Sequence, residues 1–294
     1  MESRSSAVLA KVRTILEMIK FEHTIFALPF ALTSAFLAAN GMPSLWAMLW
    51  ILVAMVGARS SAMAFNRIAD LHYDRLNART AGRALPIGAV RLAEVWWFTL
   101  GSAAVFVLAS WMLNPLAFAL SPVALLIVLG YSYTKRFTSL SHLVLGLALG
   151  IAPVGAWIAV TGRLDFAPMV LSAAVMFWTA GFDIIYSLQD LEFDRKQGLF
   201  SIPKALGPAA GLLVSRGFHL AAVLLLTWFG MILELGTLYW VGTALVAGLL
   251  AYEQGLVRPD DYSRVNVAFF STNGLVSIGF LIFALVDLLV RRAA

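Results

Sequence analysis

The chain has 294 residues, 61% hydrophobic and 13% charged, with a mean hydropathy of +0.86; a soluble domain carries roughly 25% charged residues, so an integral membrane protein is indicated. The net charge of +5 does not point to nucleic acid, because the basic residues lie in loops between apolar runs and not on one face of a soluble domain. Cysteine is absent, which removes disulfides, thiolate metal sites and cysteine nucleophiles together and leaves oxygen and nitrogen ligands.

Residues 1–20 hold Arg4, Lys11, Arg13 and Lys20 without a short apolar core and small-residue cleavage site, so no cleaved signal is expected there. Nine apolar spans follow, at 22–40, 45–68, 92–112, 115–132, 142–161, 166–188, 211–232, 235–253 and 266–290. They predict an all-α integral membrane protein of one domain, 1–294: a bundle of nine transmembrane helices. Every Lys and Arg except Arg59, Arg163, Arg291 and Arg292 falls on one side, which the positive-inside rule makes cytoplasmic. Arg59 lies within the second span, where a guanidinium is costly unless it faces a polar cavity.

The second span ends in Asn66, Asp70 and Asp74, followed by Arg75, Arg79, Gly82, Arg83, Pro86 and Gly88. After the fourth come Tyr131, Lys135 and Arg136. The sixth ends in Asp183, Tyr186, Asp190 and Asp194, followed by Arg195, Lys196, Gly198, Ser201, Pro203 and Gly207. The two acidic regions read as diverged copies in halves of about 1–140 and 141–294, their stripes facing each other across the bundle. With nine aspartates, chance gives about 0.3 Asp-x-x-x-Asp pairs; the chain has one in each copy.

Carboxylates at i and i+4 share a helix face, about 6 Å apart along the axis. Holding like charges so close requires a counter-ion. Mg²⁺ takes one or two carboxylates and fills its remaining positions with water and phosphate oxygens, and arginine binds phosphate bidentately. A diphosphate held by Mg²⁺ on Asp70, Asp74, Asp190 and Asp194, with Asn66 as a neutral oxygen ligand and Arg67, Lys135 and Arg136 on its phosphate oxygens, is the expected occupant. Phe65, Tyr73, Tyr131 and Tyr186, near the motif ends, are candidates to stabilise a carbocation through their π faces. His23, His72, His142 and His219 show no metal-ligand spacing, and only His72, inside the first motif, draws a functional reading. Asp183 and Asp190 are both candidates for accepting a proton.

Taken together these motifs resemble the UbiA superfamily of intramembrane prenyltransferases across nearly the whole chain. Asn66, Asp70 and Asp74 match its first motif and Asp183, Tyr186, Asp190 and Asp194 its second. Thr80, Arg83, Pro86 and Gly88 match one loop pattern, and Tyr131, Lys135 and Arg136 another. The resemblance implies nine helices around a cavity open to the cytoplasm and laterally to lipid, in a bacterial-type cytoplasmic (inner) membrane. It also implies two Mg²⁺ ions bridging a polyprenyl diphosphate and transfer of the prenyl group to an aromatic acid. The most similar branch is the 4-hydroxybenzoate polyprenyltransferases of quinone biosynthesis. Where those enzymes typically carry a basic residue, Asp and Pro-Ile-Gly, this chain has Lys20 through Pro29, similar to a bacterial subgroup associated with a menaquinone route and a dihydroxynaphthoate acceptor. The rival of another class is a transporter of an anionic metabolite, and within enzymes a glycerol phosphate acceptor or terpenoid cyclisation. Chain length and oligomeric state are not specified by the sequence.

Overall fold

The computed structural model describes residues 14, 15, 17–19 and 26–293; the first-span segment at 20–25, with His23, lies outside them. Among the described residues the architecture is helical throughout, with one isolated bridge between Arg258 and Asp261. In chain order the helices are α1 (Leu28–Ala38), α2 (Leu45–Ala69), α3 (Leu71–Leu76), α4 (Leu92–Leu113), α5 (Pro115–Thr134) and α6 (Ser141–Thr161). They continue with α7 (Phe166–Ser187), α8 (Leu191–Gln197), α9 (Ile202–Leu206), α10 (Pro208–Ile232), α11 (Thr237–Leu256) and α12 (Asn273–Ala293).

The boundaries follow local chemistry. Ser44 caps α2 by accepting the Ala47 N–H, and Asn114 caps α5 by accepting that of Ala117, each satisfying a donor that the first turn leaves free. Pro115 and Pro208 open their helices, where the missing N–H costs nothing. Seven helices are long and apolar enough to cross a membrane: α2, α4, α5, α6, α7 continued to Gln197, α10, and the run Val267–Ala293. α1 is apolar but shorter, and α11 falls outside the seven. The polar residues Glu253 and Gln254 near its end lower its hydropathy.

α7 is the centre of the bundle. Its apolar window is 61% buried, against 17% in α4 and in α5, which turn Trp97, Trp111 and Leu126 outward. α7 packs chiefly against α6 and α10, and α2 against α4. Along α6 small residues permit a close approach: a Cβ on Gly146 would meet the Met176 carbonyl oxygen at 2.2 Å, and one on Gly150 that of Ser172 at 2.6 Å. An aromatic core of Phe30, Trp178, Phe182, Tyr239 and Phe280 fills the space among α1, α7, α11 and α12.

Before α12 the chain makes a wide π-helical turn, Val267–Thr272, which disturbs the regular carbonyl pairing of the helix. Asn273 compensates. Its side-chain amide lies 3.0 Å from Ala268 O, 3.2 Å from Phe269 O and 3.0 Å from Glu253 Oε1, while its Oδ1 accepts from Trp178 Nε1 at 2.7 Å. The turn presents Phe269 and Phe270 to the cavity described next.

Candidate active site

A cavity of about 870 Å³ opens at the motif end of the bundle. Its lining includes Asn66, Arg67, Asp70, Asp74, Arg83, Tyr131, Lys135, Arg136, Asp183, Tyr186, Asp190 and Asp194, so the motif acids and the residues expected to bind the diphosphate reach one space. Arg59 lines it too, as its place inside the second span required.

Both acidic stripes depart from the expected continuous helix, and in the same way. α2 ends at Asp70, with φ −91° and ψ 3°, and α3 begins after it; the second motif passes through a 3₁₀ turn, Leu188–Asp190, and α8 begins after Asp190, at φ −100° and ψ 3°. Aspartate competes for backbone hydrogen bonds and is a poor interior helix residue, and these dihedrals fall in the sparsely populated bridge region. The ladder nonetheless runs through the first junction, with Asp70 N–H donating to Asn66 O and Asp74 N–H to Asp70 O, so Asp70 and Asp74 stay on the cavity side.

The carboxylates are held by cations and amides. Asn66 Nδ2 donates to Asp70 Oδ2 at 2.9 Å, and Arg67 to Asn66 Oδ1 at 2.6 Å. Arg83 Nη1 lies 2.8 Å from both oxygens of Asp74, with Arg67 3.6 Å away. Across the cavity, Arg79 donates to both oxygens of Asp190, joined by Asn77 at 3.0 Å. Arg79 also stacks over the Tyr186 ring, its guanidinium carbon 5.5 Å from the centroid. Burial pushes the Asp70 carboxyl above its ordinary value, against the opposing pull of Arg67 and Lys135. At Lys135 burial alone would favour loss of the proton; Asp194, Asp183 and Asp190 outweigh it and raise the ammonium pKa, so a full positive charge faces the cavity.

The donor set is all oxygen and suits a hard divalent cation. Asp194 is 1% exposed and its Oδ2 has no hydrogen-bond partner; its nearest cation is Lys135 Nζ, 4.0 Å away. A buried carboxylate oxygen left in that way is what a metal ion satisfies. Among the described residues no three acidic or histidine side chains converge on one point, so each stripe offers the one or two carboxylates that Mg²⁺ takes.

The functional readings of Phe65 and His72 are corrected, and other basic residues near the motifs stand off the cavity or are engaged by the protein. Phe65 packs edge-on to Trp96 and Tyr133, outside the cavity lining. His72 is exposed and off the cavity, as are Arg75 and Lys196; Arg195 pairs with Glu192 at 2.7 Å. Arg136 lines the cavity but is largely committed to the protein: it donates to Ala69 O at the end of α2 and stacks over Tyr133. The residues missed are Asn77, Phe26, Phe182, Phe269 and Phe270 on the cavity wall, and His142, which is fully buried and bonds Asp183 at 2.7 Å. Nothing in local spacing marks them, because each acts on a residue distant in sequence or through a turn that hydrophobic periodicity does not reveal.

Known proteins share this arrangement of helices. The solved apo structure of a UbiA homolog from Aeropyrum pernix K1 superposes with a TM-score of 0.83 at 39% identity, covering 90% of this chain and 98% of that one. A UbiA homolog from Archaeoglobus fulgidus bound to DMAPP and Mg²⁺ has the same fold, with a TM-score of 0.75 at 19% identity over 94% and 99% of the two chains. The chain is also similar to the 4-hydroxybenzoate octaprenyltransferase of Aeromonas hydrophila, 34% identical over 86% of this chain and 87% of that one. Residues 27–275 match the UbiA prenyltransferase family, and with so much of its length in that match the chain belongs to this family.

Proposed function

We propose that the protein transfers a polyprenyl group from polyprenyl diphosphate to 4-hydroxybenzoate, from a site that faces the cytoplasm in a bacterial-type inner membrane. The observation that carries this reading is the convergence, in one cavity, of both acidic stripes and a cationic cluster of Arg67, Arg83 and Lys135 with an aromatic wall of Phe26, Phe182, Tyr186, Phe269 and Phe270. The A. hydrophila relative supports the choice of acceptor. α1, α11 and the seven longer helices together make up the nine crossings, and the two motif copies belong to one domain with halves of about 1–140 and 141–294.

Asp70, Asp74, Asp190 and Asp194, with Asn66 beside them, would hold Mg²⁺, which when bound supplies the Lewis acid that draws charge onto the leaving diphosphate. Arg67 and Lys135 bind that diphosphate and stabilise its growing charge as the allylic C–O bond breaks; Arg83 holds Asp74 in place. Tyr186, tilted 34° against Phe269 with ring centroids 4.2 Å apart, forms with Phe269 and Phe270 the aromatic wall that keeps water from the electron-poor prenyl carbon. The ring carbon ortho to the phenol then bonds to that carbon. Asp183 takes the released proton: Asp190 is assigned to the metal, whereas Asp183 is not among the metal-holding acids and only one of its oxygens is bonded, to His142.

Purified protein with Mg²⁺ and a long-chain polyprenyl diphosphate is expected to prenylate 4-hydroxybenzoate in preference to a dihydroxynaphthoate when both are offered. Product from the naphthoate alone would overturn the acceptor assignment, and product from neither would overturn the acceptor class.

A further inference from the structure

His142, the second residue of α6, is fully buried and does not line the cavity. Its ring is held at both nitrogens. The backbone N–H of Ile202, the first residue of α9, points at Nε2 from 3.2 Å, and Nδ1 lies 2.7 Å from Asp183 Oδ2. A backbone amide can only donate, so Nε2 is the acceptor and the ring proton resides on Nδ1, directed at the carboxylate. Asp183 does line the cavity, with its side chain 18% exposed. One of its oxygens is therefore fixed from behind by a neutral imidazole, and that imidazole is fixed in turn by the loop that follows the second motif.

We propose that His142 is a positioning residue for the transfer reaction: as the Nδ1–H tautomer it pins Asp183 Oδ2 and leaves Oδ1 to accept the proton that the acceptor ring releases. The inference rests on the prenyl-transfer reading. In the step concerned the allylic C–O bond breaks with its electron pair going to pyrophosphate, and a C–C bond forms between the prenyl carbon and the ring carbon ortho to the phenol. The proton on that ring carbon passes to Asp183 as the ring rearomatises, and no oxidant or reductant is needed. A carboxylate held at one oxygen has its second lone pair at a defined place. Released from the ring, it would rotate, and water would compete for the prenyl cation. Outer partners of this kind commonly contribute on the order of 10- to 100-fold.

The test measures prenylated product and released pyrophosphate in parallel, for the unmutated full-length protein and for His142→Ala and His142→Asn, with thermal unfolding of each as a folding control. The Asn amide keeps a donor near the position of Nδ1. His142→Ala is expected to lose product formation on the order of 10- to 100-fold, with KM for the prenyl diphosphate little changed and pyrophosphate release exceeding product as water takes the cation. His142→Asn is expected to recover most of the product. Equal impairment of the two variants, or a rise in KM with product and pyrophosphate falling in step, would overturn the positioning role. Unimpaired His142→Ala would do the same. If the unmutated protein makes no product, the transfer reading falls and this role falls with it. Should His142→Ala not fold, ¹⁵N shifts of histidine-labelled protein, assigned through His142→Asn, decide the matter: a protonated Nδ1 beside an unprotonated Nε2 is expected, and the opposite tautomer or a doubly protonated ring overturns the proposal.

Discussion

Arg79 and Asp190 stand 111 residues apart and meet at two points, Nε donating to Oδ1 at 3.0 Å and Nη2 to Oδ2. The contact joins the loop after the first motif to the second motif, and it occupies the oxygens expected to bind metal. The Asp190 charge is thus already balanced by Arg79, and a cation bound at Asp190 would exchange partners with that guanidinium.

Arg79→Lys keeps the charge but not the two-point fork, and is expected to lower kcat/KM on the order of tenfold; Arg79→Ala is expected to lower it on the order of 100-fold. Steady-state kinetics with the prenyl diphosphate check this. Full activity in the lysine variant would show that a point charge is enough at this position.

Asp70→Asn and Asp190→Asn should each reduce turnover by at least about 1,000-fold, while size-exclusion and thermal profiles in detergent remain those of the parent. Chelation of divalent cations should abolish activity, and added Mg²⁺ should restore it. Turnover near the parent rate in either variant would remove the carboxylates from the metal site.

Gly146→Ala places a methyl 2.2 Å from the Met176 carbonyl oxygen, a backbone atom that can yield only if α6 and α7 part. Overpacking of this kind costs about 1–3 kcal/mol, and product formation should fall because His142 withdraws from Asp183. Gly101 has nothing within 4 Å of a Cβ, so Gly101→Ala should be neutral or stabilising by up to about 1 kcal/mol. Thermal unfolding of the pair is the measurement, and equal effects would refute the close-approach argument.

Asn273→Ala leaves the Trp178 indole N–H and Glu253 without their partner and frees two carbonyls of the π-helical turn. The expected loss is about 1–3 kcal/mol, together with a weaker grip on the prenyl chain as Phe269 and Phe270 lose their fixed place. Unfolding and KM for the prenyl diphosphate report the two effects separately.

Helix positions were legible in the sequence because twenty or so apolar residues between charged loops have few alternatives. The expected span 92–112 is α4, Leu92–Leu113, and 166–188 is α7, Phe166–Ser187. The motif acids and Arg67, Arg83, Tyr131 and Lys135 were legible through their spacing and all reach the cavity. Less visible were effects without period. The breaks at Asp70 and Asp190 leave the polarity pattern of the helix intact. His142 meets Asp183 from 41 residues away, and Asn273 serves a turn whose apolar pattern looks like ordinary helix.

The matched breaks at Asp70 and Asp190 divide each motif into a long membrane-anchored part and a short outer helix, six residues in α3 and seven in α8. Each break hands its second acid to a short segment steered from outside the span: Arg83, in the loop after α3, grips both oxygens of Asp74, and Lys135, after α5, stands 4.0 Å from Asp194 in α8. A change in either loop therefore reaches the acids without any repacking of the long helices.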